Sequence, residues 1–182
     1  KDIHEIAKSL AIFSAFTEGV NLFSSFAVLL SFKMQNKLKG VGQIVEWSIR
    51  DESLHSEAGC WLFRTLIAEN PKIKTPELEA AINEAALLSL QLELDFIEKV
   101  YELGDLEGCS KYDLINFIKN RVNTKLGDLG YNPIIGDVDM NAVNNMKWFD
   151  ALSAGKQHTD FFASRVTNYA KGTKDWDAAT LF

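Results

Sequence analysis

TEGVNLFSSFAVLLSFKMQNKLKGVGQIVEWSIRDESLHSEAGCWLF, residues 17–63, decides the architecture. One ionisable group, Glu18, stands in the apolar run from Leu10 to Phe32. Upstream, Ile3, Ile6, Leu10 and Phe13 keep helical spacing. Beyond Phe13 the apolar residues go nearly all the way round, as in a helix covered on most sides. The pattern predicts one long helix from about Asp2 to about Lys33, ended by MQNKLKG, and a second from about Gly40 to about Glu69. Gly19 would sit inside the first helix at a cost of about 1 kcal/mol relative to Ala. A packing reason or a site beside it is therefore expected. Ser14, Ala15, Ser24, Ser25 and Ala27 would likewise let neighbouring helices come close.

Outward from this stretch the helical reading continues. Asn70-Pro71 stops the second helix, because Pro71 disfavours helical geometry at the residue before it. A third helix is predicted from Thr75, with Pro76 at its first position, to about Leu103 and Gly104. Its periodic face is Leu87, Leu90, Leu94, Ile97 and Tyr101. A fourth spans about Lys111 to Lys125 or slightly beyond. Tyr131 to Asp150 is less regular, with turns at Asn132-Pro133 and Gly136-Asp137. No stretch keeps a strand period and no internal repeat occurs. The predicted class is all-α, a long-helix bundle. Residues 1–155 form the helical domain, and 156–182 form a tail with spaced aromatics at Tyr169, Trp176 and Phe182, expected to be flexible.

Composition narrows the function. The chain has 182 residues, 47% of them hydrophobic, which is enough for one core. Its net charge of -6 and lack of a basic run argue against gripping nucleic acid. Cys60 and Cys109 fit neither a zinc spacing nor a disulfide framework, so two free thiols in a reducing cytoplasm are expected. KDIHEIAK mixes both charge signs and does not read as a signal peptide. Leu10–Phe32 is long enough to cross a membrane. Glu18, Asn21, Thr17 and several serines interrupt it, and the reading is a helix buried in protein, with no membrane.

The chemistry lies in three residues. Glu52 and His55 stand three apart, which puts them on one helix face. Glu18 is a carboxylate in apolar surroundings, which must be paired, protonated or metal-bound. Dimetal carboxylate bundles combine a lone Glu with a Glu-x-x-His unit, the carboxylates giving hard oxygen ligands and the imidazole a nitrogen. On the residues alone two readings stay open, a solvated surface patch and a metal site. A complete site also needs a second Glu-x-x-His helix. His4 has Lys1 three before it and His158 has Gly155, so neither supplies one. The sequence holds half a site.

Residues 17–63 resemble the two central helices of the small, radical-generating subunit of class I ribonucleotide reductase. NPIIGDVDMNAVNNMKWFDAL (132–152) is similar to that family's late Asn-Pro turn and the segment after it. GKQHTDFFASRVTNYAKG (155–172) is similar to the run into its carboxy-terminal tail. The resemblance covers essentially this whole chain and about the second half of the family's. It implies a ferritin-like dimetal-carboxylate bundle. Glu18 would be a terminal ligand of the second metal, Glu52 the bridging carboxylate, and His55 the imidazole on the second metal. Asp51 would be the outer aspartate that hydrogen-bonds a ligand histidine of the other metal on the electron-transfer route. Leu22 and Phe26, four and eight after Glu18, would line the apolar pocket near the radical tyrosine. Tyr169 would relay the radical in the tail.

The family's other Asp, its other Glu-x-x-His and its radical tyrosine have no match here, and Tyr101, Tyr112 and Tyr131 do not take that tyrosine's place. The resemblance therefore implies a split subunit whose amino-terminal half is a separate chain. It further implies dinuclear iron, with manganese possible, a second small-subunit protomer, and a large catalytic subunit reached through the tail. The implied reaction is reduction of ribonucleotides to deoxyribonucleotides. A non-catalytic helical interaction protein, and another dimetal bundle protein such as a ferritin-like store or an oxygenase, are the alternatives.

Overall fold

A computed structural model describes residues 2–153, all helix, turn and loop apart from one isolated bridge between Leu106 and Cys109. Helix α1 spans Ile3–Ile12 and runs into a π-helical turn, Phe13–Thr17. Next come α2 (Phe23–Met34), α3 (Lys39–Glu69) and a 3-10 turn, Pro71–Ile73. Then follow α4 (Pro76–Tyr101), α5 (Lys111–Leu129), and the short α6 (Met140–Asn145) and α7 (Lys147–Ser153). The expectations for Tyr169, Trp176, Phe182 and a boundary at residue 155 lie outside the described residues.

Local sequence explains most of these limits. Helix N-termini leave N–H groups unpaired, and a short polar side chain ahead of the helix can accept them. Asp2 accepts the His4 N–H, Thr75 accepts the Leu78 N–H, and Ser110 accepts the Asp113 N–H. Asp139 caps α6 by accepting from Asn141 and Ala142. Gly130 ends α5 at φ 86, in the left-handed region that suits glycine. The irregular segment expected at 131–150 thus resolves into a loop and two short helices.

One expectation is corrected. Residues 2–33 do not form a single helix. After the π-helical turn, residues 18–22 form turns outside any helix, and Leu22 takes φ 72. Gly19 therefore lies in a break, not in a helix interior. Leu22 is exposed and, beyond the break, no longer follows Glu18 by helical spacing. Phe26 packs against the core and meets Phe23 edge-on at 5.5 Å.

The core lies where α1, α2, α3, α4 and α5 converge, with Phe16, Phe23, Phe63, Leu114, Ile118 and Phe149 buried. Phe149 of α7 reaches in to within 5.0 Å of Phe117 and 6.1 Å of Phe23, ring centre to ring centre. The inward face of α4 is Leu78, Ile82, Ala86, Leu90, Glu93, Ile97 and Tyr101. Of the periodic face read from sequence, Leu87 instead points outward. Among the described residues no helix is long and apolar enough to cross a membrane.

Candidate metal centre

Glu18 closes the π-helical turn, and Glu52 and His55 lie three apart on α3. What brings the two elements together is a lack of side chain. A Cβ on Gly59 of α3 would collide with the Ser14 side chain, and a Cβ on Gly19 would collide with the Ala15 carbonyl, Lys125 and Ser56. Glycine at both positions lets the backbones close up.

The result is a compact group. Ligand-type atoms of Glu18, Glu52 and His55 all lie within 4.8 Å of one another. His55 Nδ1 stands 3.5 Å from Glu18 Oε2 and 3.5 Å from Glu52 Oε2. Glu18 is 15% exposed, Glu52 33% and His55 60%, so the group opens outward through the imidazole. The Glu18 carboxyl is held above the ordinary carboxylate range. A hydrogen bond with Glu52 is the largest cause, followed by burial and the Glu52 charge, while His55 pulls the other way. Two carboxylates crowded beside an imidazole at the surface would gain from a cation between them. This is the donor set of an oxygen-and-nitrogen site for a divalent metal, supplying two carboxylates and one imidazole.

All three predicted ligands are thus gathered. Asp51 is exposed and lies outside the group, one position before Glu52. Tyr169 is outside the described residues. Two further residues escaped the sequence reading. The buried Glu93 of α4 accepts from the Leu22 N–H and the Ser24 N–H, and Arg121 of α5 donates to the Gly19 carbonyl. A signal for Glu93 existed, since Leu90 and Ile97 place position 93 on the inward face. Nothing in the sequence named its partners.

Comparison with known proteins agrees with the geometry. The family "Ribonucleotide reductase, small chain" matches residues 1–142. A ribonucleoside-diphosphate reductase small subunit of Invertebrate iridescent virus 3 is 38% identical over 177 residues, covering 96% of this chain and 46% of the relative. A ribonucleoside-diphosphate reductase subunit beta of Chlamydia pneumoniae is 27% identical, covering 94% and 48%. Among solved structures, one described as a class I ribonucleotide reductase from Bacillus halodurans superposes with a TM-score of 0.67 at 25% identity, over 78% of this chain and 49% of that one. The chain thus spans about half the length of the relatives it matches. With its all-α, ferritin-like helical architecture and a family match over most of its length, the chain belongs to the ribonucleotide reductase small-chain family.

Proposed function

We propose that this chain is the carboxy-terminal part of a ribonucleoside-diphosphate reductase small subunit and supplies half of its dimetal site. The observation that carries the reading is the meeting of Glu18, Glu52 and His55 within 4.8 Å on an open face. Glu18, Glu52 and His55 would hold the metal from this chain's side, two carboxylates giving oxygen and the imidazole giving nitrogen. The remaining ligands and the radical tyrosine come from the amino-terminal half of the subunit. Iron is the proposed metal, although two carboxylates and an imidazole also suit manganese. A metal pair held there would, with oxygen as the oxidant, supply the one-electron oxidation that leaves a radical on a nearby side chain. This chain's residues would hold and orient the metal from one side.

The surface of α3 supports a role for Asp51. Ile44, Asp51, Leu54, Ala58 and Trp61 recur at spacings of seven, three, four and three, the period of a seam that receives another helix. Ile44, Leu54 and Trp61 are 60%, 64% and 60% exposed. A helix laid along this seam would bury Asp51, and a buried carboxylate needs a donor. An imidazole N–H of the other half's ligand histidine is the proposed donor. Tyr169, by resemblance, is the proposed radical relay to the large subunit, reached through the tail at 156–182. A second copy of the small subunit completes the assembly. The free, buried Cys60 and Cys109 suit a reducing cytoplasm.

The test is reconstitution. The chain is mixed with a chain carrying the missing Asp, Glu-x-x-His and tyrosine, then with ferrous iron and oxygen, and finally with the large subunit. Spin resonance is expected to show a tyrosyl signal only when both halves are present. Ribonucleoside diphosphate reduction is expected only when the large subunit is added. A tyrosyl signal from the isolated chain would refute the half-site reading. Turnover by Tyr169→Phe at the normal rate would remove Tyr169 as the relay.

A further inference from the structure

The sequence of residues 2–33 reads as one helix, yet the chain breaks at 18–22. In an uninterrupted helix the Leu22 N–H would donate to the Glu18 carbonyl, Phe23 to Gly19, and Ser24 to Val20. None of these three bonds is made. Leu22 N–H donates to Glu93 Oε1 at 2.9 Å, and Ser24 N–H donates to Glu93 Oε2 at 2.9 Å. The Ser24 hydroxyl donates to the same Oε2 at 2.5 Å. The Gly19 carbonyl accepts from Arg121 Nε. Phe23 N–H turns back to the Val20 carbonyl at 3.2 Å. Glu93 and Arg121 therefore take up groups that the helix would otherwise have paired within itself. Both come from other helices, α4 and α5.

We propose that Glu93 and Arg121 are a positioning pair for Glu18, holding open the helix break that aims its carboxylate at Glu52 and His55. The part of this inference that treats Glu18 as a metal ligand rests on the function proposed above. Glu93 is 6% exposed and its two oxygens accept three donors, so its charge is satisfied without solvent. The Arg121 guanidinium stacks 3.3 Å over the Phe23 ring, which fixes it against the first turn of α2. Burial pushes it down to about 10, against the pull of Asp150, Asp128 and Glu93, so it stays charged at neutral pH. Leu22 at φ 72 is the strained residue in the break. A leucine stays there only while something outside the helix holds it. The π-helical bonds upstream, Glu18 N–H to the Phe13 carbonyl and Asn21 N–H to the Phe16 carbonyl, complete the same shift of register.

The experiment uses the full chain, labelled for backbone NMR, as wild type, Glu93→Ala and Glu93→Gln. Ile82→Val, a buried substitution on α4, serves as the control for general destabilisation. In Glu93→Ala the Leu22 Cα and Cβ shifts are expected to move from left-handed to right-handed helical values. Affinity for Mn2+, followed by spin resonance, is expected to fall about 10- to 100-fold, the usual effect of losing the support behind a metal ligand. Glu93→Gln keeps one acceptor oxygen and should fall between. Ile82→Val should lower the Tm and leave Leu22 where it is. A folded Glu93→Ala that keeps left-handed shifts at Leu22 overturns the proposal. If Glu93→Ala does not fold, Glu93→Gln decides by the same two readouts. Shifts that move while Mn2+ affinity holds would show that the break does not position Glu18, which also overturns it. A wild-type chain that binds no Mn2+ instead overturns the metal reading, and the Leu22 shifts still decide whether Glu93 holds the break.

Discussion

Glu18 is costly to keep in the metal-free chain. Its carboxyl is raised by Glu52 and by burial, so the fold favours its protonated form. Stability from a raised group is present at low pH and lost as pH rises through the raised value. Glu18→Gln removes that loss. The metal-free variant should melt above wild type at neutral pH and lose that advantage in acid, and Fe2+ or Mn2+ should no longer raise its Tm. Calorimetry with and without metal checks both, and a variant still stabilised by metal would remove Glu18 from the ligand set. Glu52→Ala should strip most metal from the assembled protein while the helical circular dichroism survives, because Glu52 is one-third exposed and its loss opens no core cavity. Metal analysis decides it. The control must be Glu57, which is exposed. Glu46, which its sequence position also suggests as a control, is buried and ion-paired with Lys33 at 2.6 Å, so its loss would disturb the fold. At this scale the sequence was informative wherever spacing alone fixes proximity. Glu52 and His55 share a face by being three apart, and Glu18 is conspicuous as the one charge in an apolar run. The inward place of Glu93 was legible from Leu90 and Ile97, but its role was not, because its partners Leu22 and Ser24 lie 71 and 69 residues away in the chain.

Elements bounded by their own residues were legible, and the one bounded by tertiary contacts was not. Thr75 with Pro76, Ser110 and Gly130 announce the limits of α4 and α5 within a few residues. Between α1 and α2 the local sequence favours continued helix, and the break exists because other helices compete for its backbone groups. The closeness of this broken segment to α3 depends on Gly59, which faces Ser14. Gly59→Ala would gain helix propensity on an ordinary surface. Here the added methyl meets the Ser14 side chain, and overpacking of this kind costs about 1–3 kcal/mol. Gly59→Ala is therefore expected to lower the denaturation midpoint and weaken metal binding. Ser14→Gly, which clears the space, should recover part of both in the double variant. Additive losses in the double variant, measured by denaturant titration, would show that the two residues do not touch.

Among the described residues, one side of α3 is left uncovered. Ile44, Leu54 and Trp61 lie well exposed on the same helix that carries Glu52 and His55. Isolated exposed apolar residues are ordinary, but a periodic row of large ones marks a contact surface. The row's spacing suits a helix, and the metal ligands border it, so a partner helix there would both bury the row and bring the missing ligands within reach. Leu54 is the sharpest probe, since it stands between Glu52 and His55 in sequence and is exposed enough that a charge there should leave the isolated fold intact. Leu54→Asp is expected to keep the circular dichroism and Tm of the isolated chain within experimental scatter. Its affinity for the amino-terminal half should drop by on the order of 100-fold, the loss of a central apolar anchor worth about 2–3 kcal/mol. Leu103→Asp, on the exposed turn after α4, should change neither quantity. Sedimentation of labelled halves measures the affinities. If Leu54→Asp bound as tightly as wild type while Trp61→Asp also did, the seam would not be the docking face. The completed site would then have to be assembled from another side of α3.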